Sequence, residues 1–320
     1  MSAPRTRLGS SSIEVYPLSL GGNVFGWTAD EAQSFAVLDG YADAGGNFID
    51  TADGYSHWVP GNHGGESERV IGRWLSHRTD RDAFVIATKV ASHPDFKGLA
   101  PSNVKAAADA SLGRLQVDHI DLYYAHFDDH TIPLADTVGA LSELVDAGKV
   151  RAIAISNYSP ERIDEWFEVT ERDGLHRAVA LQPHYNLVER TFEDDLRERA
   201  ERHGLGVVPY YSLAAGFLTG KYRDGIQVDS ARAAGAGRYL DDRGRRVLET
   251  LDEVAAAHGA SVASVALAWL RDQPTVVAPI ASARTPEQLQ DLIASVTLEL
   301  TDDELGALTD ASATQEDEAA

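Results

Sequence analysis

"NFIDTADGYS", residues 47–56, leaves an apolar strand and enters a cluster of polar groups within a few residues. Asn47-Phe48-Ile49 reads as buried. Asp50 then stands at the strand's exit, and Tyr55 follows across Gly54. Asp and Gly are ordinary strand-end residues, and a helix cap plus a turn would account for them locally. Loops held by a rigid scaffold are also where functional side chains concentrate. The other strand ends decide between these readings.

Working outward, short apolar runs alternate with helical patterns from near residue 15 to near residue 295. The predicted strands are 17–20, 47–49, 84–88, 120–125, 150–155, 180–182, 206–208 and 276–280. The predicted helices are 30–44, 66–76, 102–115, 134–147, 160–172, 189–203, 243–271 with a break near Gly259, and 286–295. Such alternation implies a parallel sheet with crossover helices. Eight repeats imply an α/β fold closed as a (β/α)8 TIM barrel, with its active site on the C-terminal face. The leader "TRLGSSSIEVYPL" reads as an N-terminal hairpin around Gly9–Ser12, suited to cap the barrel's bottom. A doubly wound dinucleotide fold would want G-x-G-x-x-G after its first strand, whereas "SLGGNVFG" spaces Gly21, Gly22 and Gly26 differently. No linker interrupts the pattern, so 1–320 reads as one domain with a frayed polar tail over 311–320.

Composition narrows the class. A net charge of −22 would repel nucleic acid and anionic membranes at long range. No apolar run reaches spanning length, and the start lacks a signal-peptide core, so the chain reads as cytoplasmic. Zero Cys removes disulfides, thiolate metal sites and a cysteine nucleophile. Of the 28 basic residues only 89, 97, 105, 149 and 221 are Lys, which singles out the one ending "FVIATKV".

In a barrel, groups at the strand ends share one rim. The second strand finishes at Asp50 with Tyr55 in its loop, the third at Lys89, and the fourth, "IDLYYAHFDD", at His126. Each has a plain alternative: a cap, an aromatic in a turn, a snorkelling Lys, a core His. Four such events in register on neighbouring strands are far less probable than one site. A phenol of pKa about 10 is a weak acid at neutral pH, and a nearby ammonium lowers that value. Asp50 can pair with Lys89 and compensate its burial. His126 can donate to a carbonyl oxygen. Together these groups polarise and protonate a carbonyl, and a cofactor must supply the hydride.

The chain resembles an aldo-keto reductase, of the bacterial NADP(H)-dependent type, over essentially its whole length. "NFIDTADGYS", "GGESERVIGRWL", "VIATKV" and "GKVRAIAISNYS" are similar to family segments and occur in the family's order. The resemblance places the family's catalytic set on Asp50, Tyr55, Lys89 and His126. It implies a barrel that binds NADP(H), with NAD(H) second, without a dinucleotide fingerprint. Ser156, Asn157 and Gln182 fall where the family holds the nicotinamide carboxamide, and Tyr210 where an aromatic stacks on the ring. Leu213 to Gly216, with Lys221, resemble the loop over the pyrophosphate. Ser282, Arg284 and Gln288 resemble the adenosine-phosphate clamp. Two positions depart from the pattern: Tyr211-Ser212 replaces Ser-Pro, and Leu292 stands where Asn is common for adenine.

Other expectations are more local. Trp27 and Trp58 follow the first two strands on the catalytic face and are candidates for the substrate pocket or for covering the core. Trp74, Trp166 and Trp269 read as helix packing, and Tyr123 and Tyr124 as strand packing. His57 and His63 have no assigned role. "HFDDH", 126–130, lacks the converging ligands a metal needs, and Asp128 and Asp129 are adjacent rather than opposed, so no metal and no glycosidase pair is expected. The expected activity is reduction of a small-molecule aldehyde or ketone to an alcohol by a monomer. The alternatives are a cofactor-binding regulatory protein on the same barrel and a barrel hydrolase or isomerase without a nicotinamide.

Overall fold

The computed structural model describes residues 4–313. The last part of the predicted tail, 314–320, lies outside the described residues. The leader forms the expected antiparallel hairpin, β1 (Thr6–Arg7) with β2 (Glu14–Val15). β3 (Ser19–Gly21), β4 (Phe48–Asp50) and β5 (Val85–Val90) follow. A second small hairpin, β6 (Ser92–His93) with β7 (Phe96–Lys97), comes next. The remaining strands are β8 (Ile120–Ala125), β9 (Val150–Ser156), β10 (Ala178–Gln182), β11 (Gly206–Val207) and β12 (Ile280–Ala281). Eight of them form one parallel sheet in the order β11-β10-β9-β8-β5-β4-β3-β12. Val207 bridges to Val276, and Val277 N donates to Val207 O at 2.8 Å, so the sheet closes on itself. The fold is the predicted (β/α)8 barrel. The last strand is shorter than its apolar run because Pro279 offers no N–H to a ladder.

The helices are α1 (Glu31–Asp43), α2 (Glu66–Ser76), α3 (Pro101–Leu115), α4 (Leu134–Asp146), α5 (Pro160–Asp173) and α6 (Leu196–His203). They continue with α7 (Ala233–Gly237), α8 (Asp242–His258), α9 (Val262–Arg271), α10 (Pro286–Ala294) and α11 (Asp302–Ala311). Capping chemistry sets several starts: Asp30 with Gln33 on α1, Ser159 on α5, Ser261 on α9 and Thr285 on α10. The predicted break falls at Gly259, which ends α8 in the left-handed region. The helix predicted over 189–203 is regular only from Leu196, after a 3-10 turn at Thr191–Glu193. The short α7 and α11 lack a prior in the alternating pattern. No single helix among the described residues is long and apolar enough to cross a membrane, and the joined pair α8 and α9 bends by 98°.

Strand parity explains where the site sits. Phe48, Val85, Ala87, Leu122, Tyr124, Ala152, Ala154, Ala180, Val208 and Ile280 share one core inside the barrel with Leu8, Ile13 and Val15 of the leader hairpin. Residues two further along a strand point the same way. The inward series therefore ends on Asp50, Lys89, His126, Ser156, Gln182, Tyr210 and Ser282. The bottom of the barrel is apolar and plugged, and its top layer is polar.

Candidate functional site

Lys89 is fully buried at the end of β5, and its ammonium is held by three oxygens. Nζ donates to Asp50 Oδ1 at 2.6 Å, to the Thr51 carbonyl at 2.6 Å and to the Tyr55 hydroxyl at 3.0 Å. Asp50, also buried, receives Gln182 Nε2 on its other oxygen at 3.0 Å. Tyr55 is half-buried and turns its ring edge to His126, with centroids 6.2 Å apart. The four groups predicted from the strand ends are thus brought to one place.

The electrostatics follow from burial and this pairing. Burial opposes the charge on Lys89, but the Asp50 carboxylate and the Tyr55 phenol outweigh it and hold the ammonium's pKa above its ordinary value. Burial raises the Tyr55 pKa above the ordinary phenol range, with Lys89 drawing it down and Asp50 pushing it up. Lys89's pull is the one expected from the sequence, and burial exceeds it. His126 is held well below the ordinary histidine value by burial and then by Lys89, so its imidazole is neutral.

A second set of bonds links the rim. Ser156 Oγ donates to the Gln182 carbonyl at 2.8 Å. Asn157, in the left-handed region at φ 58°, donates from Nδ2 to the His126 carbonyl at 2.9 Å and to Ser156 Oγ at 3.1 Å. Its Oδ1 receives the Tyr210 hydroxyl at 2.9 Å. Tyr210 stacks on His184 with centroids 5.3 Å apart. Positive φ at non-glycine residues also occurs at Ser56, Ala91, Tyr211, Ala214 and Ala215, all after strand ends of this face, and elsewhere at Gln116 and Thr275. Such backbone persists where the surroundings over-determine it, which is common at functional sites.

The remaining predicted residues lie further round the rim. Leu213 and Gly216 belong to a tight turn in which Gly216 N donates to Leu213 O at 2.7 Å, and Lys221 is exposed beside it. Ser282 Oγ donates to Asn23 Oδ1 at 2.8 Å, and Gln288 Oε1 receives Arg284 N at 3.0 Å. Arg284 forms no ion pair with Glu287 or any other acid among the described residues. Leu292 is buried in the core. Trp27 and Trp58 meet edge to face at 5.5 Å, and Trp58 also meets Tyr55 at 6.3 Å. Trp74, Trp166, Trp269, Tyr123 and Tyr124 are buried as packing residues. His57 Nδ1 lies 2.8 Å from the Gly54 carbonyl, and His63 is exposed. Asp128 accepts from Nε and Nη2 of Arg162, one on each carboxylate oxygen, and Asp129 receives the Leu99 and Thr131 amides. Both carboxylates are therefore structural.

Several rim residues have no site role assigned by the sequence. Arg232 lies over Trp27 at 5.6 Å, donates to Asn23 Oδ1 at 3.3 Å, and has its pKa lowered by burial and by Arg284, with Tyr211 acting the other way. It sits in an irregular stretch with no periodicity to mark it. Phe127 and Tyr211 stand 46% and 50% exposed at the mouth, next to His126 and Tyr210. Ser92 Oγ lies 3.2 Å from His126 Nδ1. The local signal that could have marked the hairpin carrying it is the Pro94-Asp95 turn in "SHPDFK".

The pattern of the aldo/keto reductase family matches residues 17–313 of this chain. The chain is similar to Protein tas of Escherichia coli, at 32% identity covering 94% of this chain and 95% of that protein. It is similar to norsolorinic acid reductase B of Aspergillus parasiticus, at 33% over 94% and 82%. It is also similar to the uncharacterized oxidoreductase YrpG of Bacillus subtilis, at 34% over 95% and 94%. With a barrel closed around a polar top layer and likeness along nearly its whole length, the chain belongs to the aldo/keto reductase family, whose members are oxidoreductases that generally use nicotinamide cofactors.

Proposed function

We propose that the protein reduces an aldehyde or ketone to the alcohol with NADPH, and that Tyr55 is the proton donor. The observation that carries this is the chain Asp50–Lys89–Tyr55, a phenol fixed to a buried ammonium whose counter-ion is itself buried. The bound nicotinamide supplies the hydride, which no side chain here can provide. Tyr55, a phenol whose pKa burial raises further, is protonated at neutral pH and gives its proton to the substrate oxygen, leaving a phenolate that the Lys89 ammonium balances. Neutral His126 offers one N–H to orient the carbonyl. Trp27 and Trp58 line the approach.

The rim suits such a cofactor. Tyr210 presents a ring, and Ser156, Asn157 and Gln182 surround it with polar groups at the strand ends. Among the described residues neither Arg284 nor Arg232 has an acidic partner, although the chain is rich in Asp and Glu, which supports an anion as their partner. Ser282 shares Asn23 with Arg232 and Gln288 accepts from the Arg284 amide, in keeping with the extra 2′-phosphate of NADP(H) over NAD(H). The turn from Leu213 to Gly216, with Lys221, is read as the cover over the pyrophosphate. Relatives named as reductases support the reductive direction. Asp50, Tyr55, Lys89 and His126 meet within a single chain, so the proposed chemistry asks for no second copy and the working unit is read as a monomer.

The test is a panel of aldehydes and ketones with NADPH or NADH, followed by cofactor oxidation. NADPH-dependent turnover of several carbonyls is expected. Preference for NADH would overturn the cofactor reading. Tight NADPH binding without even a single turnover of a reactive aldehyde would favour a non-catalytic, cofactor-binding barrel.

A further inference from the structure

The contact between Ser92 Oγ and His126 Nδ1 has no part in the chemistry described so far. Ser92 opens β6, three residues after Lys89. The chain reaches it through Ala91 at φ 121°, a conformation L-residues rarely adopt. The hairpin holds that geometry: Gly98 N donates to the Ala91 carbonyl at 3.0 Å, and Ala91 bridges to Lys97. From the other side the Tyr55 loop closes in. A β-carbon on Gly54 would stand 2.9 Å from Ser92 Oγ and 3.1 Å from its carbonyl carbon, so a glycine is needed for the approach. Three segments therefore converge to place one hydroxyl against one ring nitrogen.

The hydrogen positions follow from counting donors. Burial and the neighbouring Lys89 keep the imidazole neutral, so it bears a single N–H. The groups facing the ring are Lys89, Tyr55 and Ser92, with Phe127 stacked on it at 4.5 Å. Were the hydrogen on Nδ1, Ser92 would accept it, its own hydroxyl hydrogen would have no acceptor among the described residues, and Nε2 would carry only a lone pair. With the hydroxyl donating to Nδ1, both atoms are satisfied and the N–H lies on Nε2.

We propose that Ser92 is a positioning residue that donates to Nδ1 and so holds His126 as the Nε2–H tautomer, leaving that N–H for the substrate's carbonyl oxygen. The tautomer is a property of the protein alone, and its consequence for catalysis rests on the carbonyl-reductase reading. A lone pair at Nε2 would repel the carbonyl that an N–H orients, so the hydroxyl selects the useful state.

The test uses full-length protein with 15N-labelled histidine, the His126 signals being identified by their loss in His126→Gln. Long-range nitrogen–proton correlation is expected to show Nε2 protonated and Nδ1 bare in the wild type. In Ser92→Ala both nitrogens should move toward the averaged values of mixed tautomers, and Ser92→Thr should restore the wild-type pattern. The kcat/KM for a carbonyl should fall by about 3–10-fold in Ser92→Ala, the scale of one hydrogen bond, with NADPH affinity unchanged. A wild type protonated on Nδ1, or a His126 spectrum that Ser92→Ala leaves unaltered, overturns the proposal. Absence of turnover with any carbonyl in the wild type would count against the reductase reading, while the spectrum still decides the tautomer.

Discussion

Tyr55 lies between opposing influences, and its variants report them separately. Tyr55→Phe removes the proton donor without disturbing the buried ion pair, and the reductive rate should drop by on the order of 10²–10⁴ while NADPH affinity holds. Steady-state kinetics with a cofactor titration check this, and near-normal turnover across several carbonyls would sink the assignment. Lys89 acts differently. Its three oxygen partners and complete burial mean that Lys89→Met strands Asp50 with Gln182 as its remaining side-chain partner. Breaking a buried pair by removing one member costs roughly 3–5 kcal/mol. The variant should melt at lower temperature, and Lys89→Met/Asp50→Asn should recover part of the loss. With the ammonium gone the phenol's pKa rises further, so the alkaline limb of the rate profile should move to higher pH. A limb at the wild-type position would remove Lys89 from the tuning of Tyr55.

At the scale of elements, α2 and α3 are locked to the strand that carries Lys89. Glu68 on α2 is buried, receives Thr88 Oγ1 of β5 at 2.5 Å and pairs with Arg114 of α3 at 2.5 Å. Gly72 lies where α2 crosses α3, and a β-carbon there would collide with the Arg114 carbonyl. Gly→Ala within a helix ordinarily stabilises, by about 1 kcal/mol. Gly72→Ala should instead destabilise by roughly 1–3 kcal/mol through overpacking, measurable as a lower denaturation midpoint. The loop from β12 into α10 carries Arg284. A charge-assisted bond to phosphate is worth roughly 1.5–3 kcal/mol, so Arg284→Ala should weaken NADPH by about 10–150-fold and leave NADH nearly unchanged. Equal losses for both cofactors, in parallel titrations, would show that Arg284 does not read the phosphate.

For the whole molecule, a net charge of −22 offers an anionic cofactor no long-range attraction, which makes local cations at the rim more necessary. The same acidity reaches inside. Asp53, in the loop that joins Asp50 to Tyr55 along the chain, is fully buried, and neither of its oxygens has a hydrogen-bond partner of normal geometry among the described residues. Burial and then the Glu68 carboxylate push its pKa up to about 8, against the pull of Arg114 and Lys89. Below about pH 4 folded and unfolded chains both hold this proton. From there to about pH 8 the unfolded chain has lost it while the folded chain keeps it, so stability falls as pH rises. Asp53→Asn removes that dependence. Its Tm should equal the wild-type value near pH 4 and exceed it by roughly 2–8 °C near pH 8 in thermal melts across the range. A constant difference at all pH values would mean that Asp53 ionises normally.

The barrel, the leader hairpin, the break at Gly259 and the four groups Asp50, Tyr55, Lys89 and His126 were all legible in the sequence. Short apolar runs, the helical patterns between them and the polar residue closing a run are local signals, and parity carries those polar residues to one rim once the sheet closes. Tertiary structure alone decided the rest, because it depends on segments distant along the chain. Gln182 reaches Asp50 across 132 residues, Ser92 meets His126 across 34, and Arg232 meets Asn23 across 209. Leu292 turned inward to the core, and the helix expected from residue 189 began only at Leu196. Burial is a property of the assembled whole. It raised the Tyr55 and Asp53 pKa values and neutralised His126, and no local pattern encodes how much water the finished barrel excludes.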